Sequence, residues 1–168
     1  LVTSAFLSPA ETVLMVASMG ATAVLLFAVP HGPLSQPWPV LGGHLVSALV
    51  GVSLAKLLPG SLLAGPLAVG LAIGMMQLLH AVHPPGGATA LTAVIGGQAI
   101  QNLGYGFVVT PVLFNVLVIL STAVVFNNLF AWRRYPLAFH RPPKAPPPPS
   151  GAPSPYPPIA HEDLVYAL

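Results

Sequence analysis

Apolar residues dominate four long stretches of this chain, and short segments rich in proline, glycine and polar residues separate them. The stretches cover residues 12–29, 40–58, 62–80 and 107–131. Each is close to the roughly 20 apolar residues that an α-helix needs to cross the hydrocarbon core of a bilayer. Pro30 follows the first stretch and Pro59 follows the second, as expected where a helix ends. The pattern predicts an all-α, multi-span transmembrane helical bundle.

The segment between the third and fourth stretches, residues 81–106, combines helix-breaking and polar residues within this apolar chain. It contains the run His83-Pro84-Pro85-Gly86-Gly87-Ala88-Thr89. Its apolar part, residues 88–95, is too short to cross a bilayer. We therefore predict a half-helix or re-entrant segment that begins after Gly87 and stops at Gly96-Gly97. A tilted helix over about residues 88–100 and a tight loop between two spans are the alternatives.

The predicted spans belong to a transmembrane domain over residues 1–135. Residues 1–7 are apolar and no basic segment precedes them, so we interpret them as the remnant of an earlier span rather than a signal peptide. Residues 136–168 are rich in proline and are predicted to be an extended, disordered tail, because such a segment cannot bury a core. We interpret the tail as a spacer, with a ligand for a proline-reading partner as the alternative.

The composition supports a protein embedded in the lipid bilayer. The chain is 55% hydrophobic and 5% charged, against about 25% charged residues in soluble domains. Between Thr12 and Trp132, Lys56 is the one formally charged residue. Four of the five basic residues follow the last span, which predicts a cytoplasmic C-terminus rather than binding to nucleic acid. If Lys56 is also cytoplasmic, the segment after His83 re-enters without crossing.

Several kinds of chemistry are disfavoured by what the sequence lacks. The chain has no cysteine, and no aspartate or glutamate lies in the predicted spans. His80 and His83 have a spacing that suits one helix face, but no further metal-ligand pattern accompanies them. We therefore predict no catalytic activity, no metal site and no cofactor.

The run after His83 is instead suited to binding a small anion or polar solute. Glycines leave their backbone N–H groups uncovered, and a helix that starts beyond them points free N–H groups and a partial positive charge at the loop. Broken helices of transporters hold anionic substrates in this way. We predict that the N–H groups of Gly86, Gly87 and Ala88 bind the solute, assisted by Thr89 and His83. A purely structural loop is the alternative.

A second set of small or neutral polar residues within or beside the spans is predicted to form the opposite wall of this site: Gly20, Thr22, Gln36, His44 and Asn115. Polar groups within membrane segments normally face the bundle interior or water. Each of them can also serve only as a hydrogen bond between packed helices. Gly43, Ser47 and Gly51 recur every four residues, a spacing that lets helices approach closely.

Several of these motifs occur in a fixed order: Gly20-Ala21-Thr22, Ser35-Gln36-Pro37, Gly42-Gly43-His44, His83-Pro84-Pro85 with the glycines after it, and Asn115. Together they resemble the HPP family of integral membrane proteins over about residues 18–136. The resemblance implies a four-helix membrane protein. Plant chloroplast and cyanobacterial members are implicated in nitrite transport, which implies a transporter or channel for nitrite or a similar small anion. One departure is that Trp38-Pro39 stand where members usually have Arg-Asn, which removes a cation.

Location and partners follow from this interpretation. We expect the inner membrane of a bacterium, with the plastid envelope as the alternative. The lipid bilayer and a small inorganic anion are the expected partners. A homo-oligomer is also expected, because so few spans rarely enclose a pathway alone. The alternative function is a non-transporting scaffold or sensor whose tail binds a partner.

Overall fold

The computed structural model describes residues 9–139, with side chains from residue 17 onward, and over this range the chain is helical without a β-strand. The α-helices in this range are α1 (Pro9–Ala28), α2 (Pro37–Leu57), α3 (Ala64–Leu78), α4 (Pro85–Ile95), α5 (Gln98–Leu103) and α6 (Phe114–Asn128). The predicted all-α fold is confirmed. The expected remnant at residues 1–7 and residues 140–168 of the predicted tail lie outside the described residues, whereas Leu137–Phe139 of that tail form a short 3-10 helix.

The first three helices match the first three apolar stretches, with shifted ends. α2 begins at Pro37, earlier than the predicted residue 40, because prolines fit the first turn of a helix, where no intrahelical bond needs their N–H. α3 has only 15 residues, so it is about 22 Å long and shorter than the roughly 30 Å hydrocarbon core. His80, with φ 51°, takes the chain out of α3.

The fourth stretch is not the continuous helix that was predicted for residues 107–131. Thr110 has φ −128° and ψ 113°, and a π-helical segment, Val108–Leu113, precedes α6. Pro111 explains this kink, since its ring removes an N–H and collides with the preceding turn. The kinked segment Val108–Asn128 and helix α2 are nevertheless both long and apolar enough to cross a membrane.

The segment after His83 forms a short helix, as predicted, but the helix starts earlier. α4 begins at Pro85 instead of after Gly87, so both glycines lie in its first turn. The reason is that Pro85 occupies the first helical position, where its fixed φ favours the helix. α4 ends at Ile95 before Gly96, and Gly97 with φ 92° separates it from α5.

α4 is packed among α1, α2 and α3, and its most extensive contact is with α2. A Cβ atom added at Gly51 would lie 2.5 Å from the carbonyl oxygen of Ala90, and one added at Gly43 would lie 2.6 Å from Cβ of His83. Only glycine permits such contact between backbones, as the four-residue spacing on α2 predicted. The larger apolar core, which includes Leu26, Phe107 and Val116, lies beside this contact.

The segment from α3 to α6 crosses the bundle and does not turn back. At its start, the indole Nε1 of Trp38, at the beginning of α2, donates to the carbonyl oxygen of Leu79 at 3.1 Å. At its end, the Tyr105 ring lies 5.7 Å from Nζ of Lys56, at the end of α2. These two points are separated by nearly the whole of α2, about 30 Å. The structure therefore does not bear out the expectation of re-entry.

The C-terminal part of the described chain lies at the end of the bundle opposite Lys56. The hydroxyl of Tyr135 donates to the carbonyl oxygen of Ser35 at 2.8 Å, and Leu137 N–H donates to Oε1 of Gln36 at 2.9 Å. Burial raises the pKa of Tyr135, so its phenol remains a neutral donor. The expectation that Lys56 and the basic residues after α6 share one side is therefore wrong for Arg133 and Arg134, the two of them that the structure describes.

The glycine contact between α2 and α4 predicts a stability difference. Gly51→Ala should lower the free energy of unfolding by about 1–3 kcal/mol, because the new methyl group collides with backbone atoms of α4. Gly70→Ala is the matched control, since a Cβ at that exposed helical position meets no atom within 4 Å. Unfolding of both variants in mixed micelles provides the measurement. Equal stability of the two would contradict the close packing described here.

The arrangement of the ends predicts which side of a membrane each reaches. Lys56→Cys and Trp132→Cys place single cysteines at exposed positions in a chain that has none. A membrane-impermeant maleimide should label one variant only in right-side-out vesicles and the other only in inverted vesicles. Labelling of both from the same side would support re-entry instead. The unsubstituted protein controls for background labelling.

Candidate functional site

Five polar side chains meet in the interior where α1, α2 and the segment after α3 converge. They are Ser18 and Thr22 of α1, His44 of α2, His83 just before α4, and Thr89 of α4, and each is 0% exposed. We call this set the buried polar network. Enclosing such groups in an apolar bundle is costly unless they are hydrogen-bonded, and all five are.

Thr22 joins the two histidines at the centre of the network. Its Oγ1 lies 2.8 Å from Nε2 of His44 and 3.0 Å from Nε2 of His83. The centroids of the two rings are 5.0 Å apart, with 59° between the ring planes. On its other side, His83 donates from Nδ1 to the carbonyl oxygen of Leu34 at 2.8 Å. The network is thereby connected to the α1–α2 loop.

Thr89 connects the same network to α4 and back to α1. Its Oγ1 lies 2.8 Å from Nδ1 of His44 and 2.8 Å from Oγ of Ser18. Ser18 Oγ also lies 3.0 Å from the carbonyl oxygen of Pro85. A continuous series of hydrogen bonds therefore runs from Leu34 through both histidines to the first turn of α4.

Local sequence explains how these side chains come together. Ser18 and Thr22 are four residues apart and so share one face of α1. Gly43 lacks the side chain that would otherwise collide with His83, which lets the extended residues before α4 lie directly against α2. Gly86 has the same role in the first turn of α4, where an added Cβ would lie 2.7 Å from Oγ of Ser47.

The backbone N–H groups expected to bind the solute are not free at two of the three positions. Gly86 N–H donates to the carbonyl oxygen of His83 at 2.8 Å, and Gly87 N–H donates to that of Pro84 at 3.0 Å. The expectation of free N–H groups there is wrong in this structure, because α4 starts at Pro85 and the preceding residues supply the acceptors. Gly87 and Ala88 instead line an apolar groove of about 490 Å³ between α3 and α4.

Three other predicted site residues lie away from the network. The amide of Gln36 donates to the carbonyl oxygens of Pro30 and Gly32 at 3.0 and 2.9 Å, so it holds the α1–α2 loop together. Gly20 is on the exposed face of α1. Asn115 is buried on α6, a helix that supplies none of the five side chains. Their roles in binding stay predictions.

Ser18 is the network residue that sequence reasoning missed. A signal was available, because Ser18 precedes Thr22 by four residues within an apolar helix. The histidine pair is also the nearest approach to a metal site, but among the described side chains no three histidine or acidic residues lie together. Both ring nitrogens of each histidine already have hydrogen-bond partners.

Apolar helices around an internal polar network identify this type of protein as a polytopic membrane domain. Comparison with known families narrows this further: residues 1–136 match the HPP transmembrane region family. The chain belongs to this family, and it is an integral membrane protein.

Two curated relatives are transmembrane proteins of Dictyostelium discoideum. One is 41% identical over 132 residues, which cover 76% of this chain and 46% of the relative. The other is 40% identical over 131 residues, covering 76% of this chain and 42% of the relative. The chain thus spans less than half the length of these relatives. No solved structure matches it.

The central position of Thr22 predicts a marked loss of stability on removal of its hydroxyl. Thr22→Val keeps the shape but leaves ring nitrogens of both buried histidines without a partner, which should cost about 1–3 kcal/mol. Thr122→Val is the control, because Thr122 is exposed on α6 and its hydroxyl bonds only the preceding turn, at Val118. Unfolding in mixed micelles compares the two. If Thr22→Val lowered the free energy of unfolding no more than Thr122→Val does, the hydrogen bonds of Thr22 would not hold the network together.

Proposed function

We propose that the protein is a transporter or channel that passes a small anion, nitrite or one of similar size, across the membrane. In this proposal the buried polar network is both the solute-binding site and the closed gate. The observation that carries the proposal is the joining of five polar side chains from three separate regions of the chain, all fully buried within an apolar bundle. Polar groups at such positions commonly mark a solute pathway.

Helix packing alone does not require a network of hydrogen bonds that joins several helices. One hydroxyl bonded to the preceding turn, as in Thr122, is enough to satisfy a polar residue in a helix. Here the bonds instead connect α1 and α2 to the start of α4, at Pro84-Pro85. Several polar side chains that converge inside a membrane domain are the arrangement expected of a solute-binding site.

The chemistry of the network suits a small, singly charged anion. Its hydroxyl groups and imidazole N–H groups donate hydrogen bonds, and nitrite accepts them through its oxygen and nitrogen atoms. No formal charge belongs to the five side chains when the histidines are neutral. A site of this kind offers less compensation to a strongly charged solute, whose removal from water costs more.

Passage requires that the network open. Each buried side-chain nitrogen and oxygen among the described residues already has a partner. A solute therefore enters only by replacing internal bonds, such as those of Thr22 with the two histidines. Because Ser18 bonds Thr89 and His83 bonds Leu34, opening moves the start of α4 relative to α1 and its loop. The observed arrangement corresponds to a closed gate in this proposal.

The far end of the bundle offers an entrance suited to an anion. Two cavities of about 160 and 200 Å³ adjoin there, since Ala55 and Gln101 line both. Lys56 lines the first of them. A cation at the mouth of a cleft raises the local concentration of anions, which compensates for the arginine that is missing at the start of α2.

Orientation and assembly complete the proposal. In the proposal the C-terminus is cytoplasmic, which the basic residues beyond α6 support, and the location is the inner membrane of a bacterium, with the plastid envelope as the alternative. A homo-oligomer also belongs to the proposal, because so few spans rarely enclose a pathway alone.

Uptake of nitrite into proteoliposomes tests the proposed function. We expect the unsubstituted protein to carry nitrite, and Thr22→Val and Thr89→Val each to reduce the flux about tenfold or more, because each removes donors that hold the solute. Thr122→Val should keep the full rate. The folded fraction of each variant, measured before reconstitution, separates loss of transport from loss of fold.

Absence of flux in the unsubstituted protein would contradict the proposal. A scaffold or sensor would then be favoured if deletion of residues 140–168 abolished a cellular phenotype while the transmembrane domain remained in the membrane.

A further inference from the structure

The donor and the acceptor of each hydrogen bond in the buried polar network can be assigned, starting from one end of the network. The carbonyl oxygen of Leu34 can only accept, so Nδ1 of His83 must carry a hydrogen atom. A neutral His83 then presents a lone pair at Nε2. Thr22 must donate to it, because two facing lone pairs at 3.0 Å would repel.

This assignment determines the donor and the acceptor of the remaining hydrogen bonds between the side chains of the network. The one hydroxyl hydrogen of Thr22 is used on His83, so Nε2 of His44 must donate to Thr22. The Nδ1 atom of His44 is then an acceptor and receives the hydroxyl hydrogen of Thr89. Ser18 in turn donates to Thr89. For neutral histidines, a single arrangement satisfies every bond between the five side chains.

Two backbone oxygens beside the network remain available to its hydroxyl groups. The carbonyl oxygen of Ser18 lies 3.1 Å from Oγ1 of Thr22, and that of Pro85 lies 3.0 Å from Oγ of Ser18 and 3.5 Å from Oγ1 of Thr89. These spare acceptors allow a hydroxyl to turn away from a ring nitrogen. A ring nitrogen that gains a proton then becomes a donor to the same oxygen.

One added proton therefore fits the network in either of two places. On Nε2 of His83, it causes the Thr22 hydroxyl to turn to the carbonyl oxygen of Ser18, and Thr22 then accepts from both rings. On Nδ1 of His44, it causes the Thr89 hydroxyl to turn toward Pro85. Each donor keeps an acceptor in both cases.

A second proton is opposed by electrostatic repulsion. The ring centroids are 5.0 Å apart, and two positive charges at this separation in a poorly polarisable interior repel strongly. No described side chain is acidic, since the acidic residues of the chain fall outside residues 17–139. The other titratable or charged groups on the neighbouring elements lie at the ends of the bundle: His31, Lys56, His80, Tyr105, Arg133, Arg134 and Tyr135.

We infer that the buried polar network is a binding site for one proton, shared between His44 and His83, and that this proton moves with the transported anion. The second half of the inference rests on the proposed function. A lone cation in this interior is costly, whereas an imidazolium beside an anion is neutral as a pair. Proton and anion therefore bind more favourably together than separately.

Nitrogen NMR of the full chain in lipid nanodiscs, with ¹⁵N-labelled histidine and no nitrite present, tests the proton site. At neutral pH, we expect the hydrogen on Nδ1 of His83 and on Nε2 of His44. On acidification the two rings should change together and take up one proton between them. Loss of the corresponding signals in His44→Gln and His83→Gln assigns the spectra.

Thr22→Ser should preserve this shared uptake, because it keeps the hydroxyl. Thr22→Val should shift the uptake to lower pH, because a protonated ring then has an Nε2–H group without an acceptor. Thr122→Val should behave as the unsubstituted protein. The opposite hydrogen positions at neutral pH, independent uptake in the unsubstituted protein, or rings that stay neutral until the protein unfolds would each overturn the proton site.

Flux measurements test the coupling separately. Nitrite uptake should rise several-fold when a pH gradient, acid outside, is imposed on proteoliposomes, and the rise should vanish with a proton ionophore. Nitrite uptake that does not depend on the pH gradient would contradict the coupling of proton and anion while leaving the proposed function intact. Shared proton uptake in a protein without nitrite flux would support the proton site and contradict the proposed function.

Discussion

A polar group enclosed by apolar helices must find its partners inside the protein, and this requirement governs how the bundle is arranged. Ser18, Thr22, His44, His83 and Thr89 satisfy one another, and the carbonyl oxygen of Leu34 completes the series. Because the bonds join α1, α2 and α4, the relative positions of these helices and the hydrogen bonds depend on each other. Displacing one helix would leave costly unpaired groups on the others.

Glycines make this arrangement possible by reducing the distance between backbones. Without side chains at Gly43 and Gly51, α2 approaches the extended residues before α4 and then α4 itself. The prolines at 84 and 85 end the extended path and start the helix. The HPP motif thus brings His83 into the interior and directs α4 along α2. Its contribution to the site is the position of a side chain rather than a set of free amides.

The sequence predicted the helical membrane fold, the short helix after the HPP motif, and four of the five network residues. These depend on apolar stretches, helix-breaking residues and polar groups in lipid, which local patterns reveal. The start of α4 and the partners of the Gly86 and Gly87 amides depend on the exact turn before Pro85. The crossing of the segment and the opposite location of Lys56 depend on packing between distant elements. One lysine was too little evidence to predict that path.

A structure determined in a lipid nanodisc with nitrite present would test most directly whether the buried polar network is the site of passage. We expect the anion to contact Thr22 and at least one of His44 and His83, with the corresponding internal hydrogen bonds broken and the start of α4 displaced from α1. An anion bound elsewhere, with all the hydrogen bonds among the five side chains intact, would contradict this assignment.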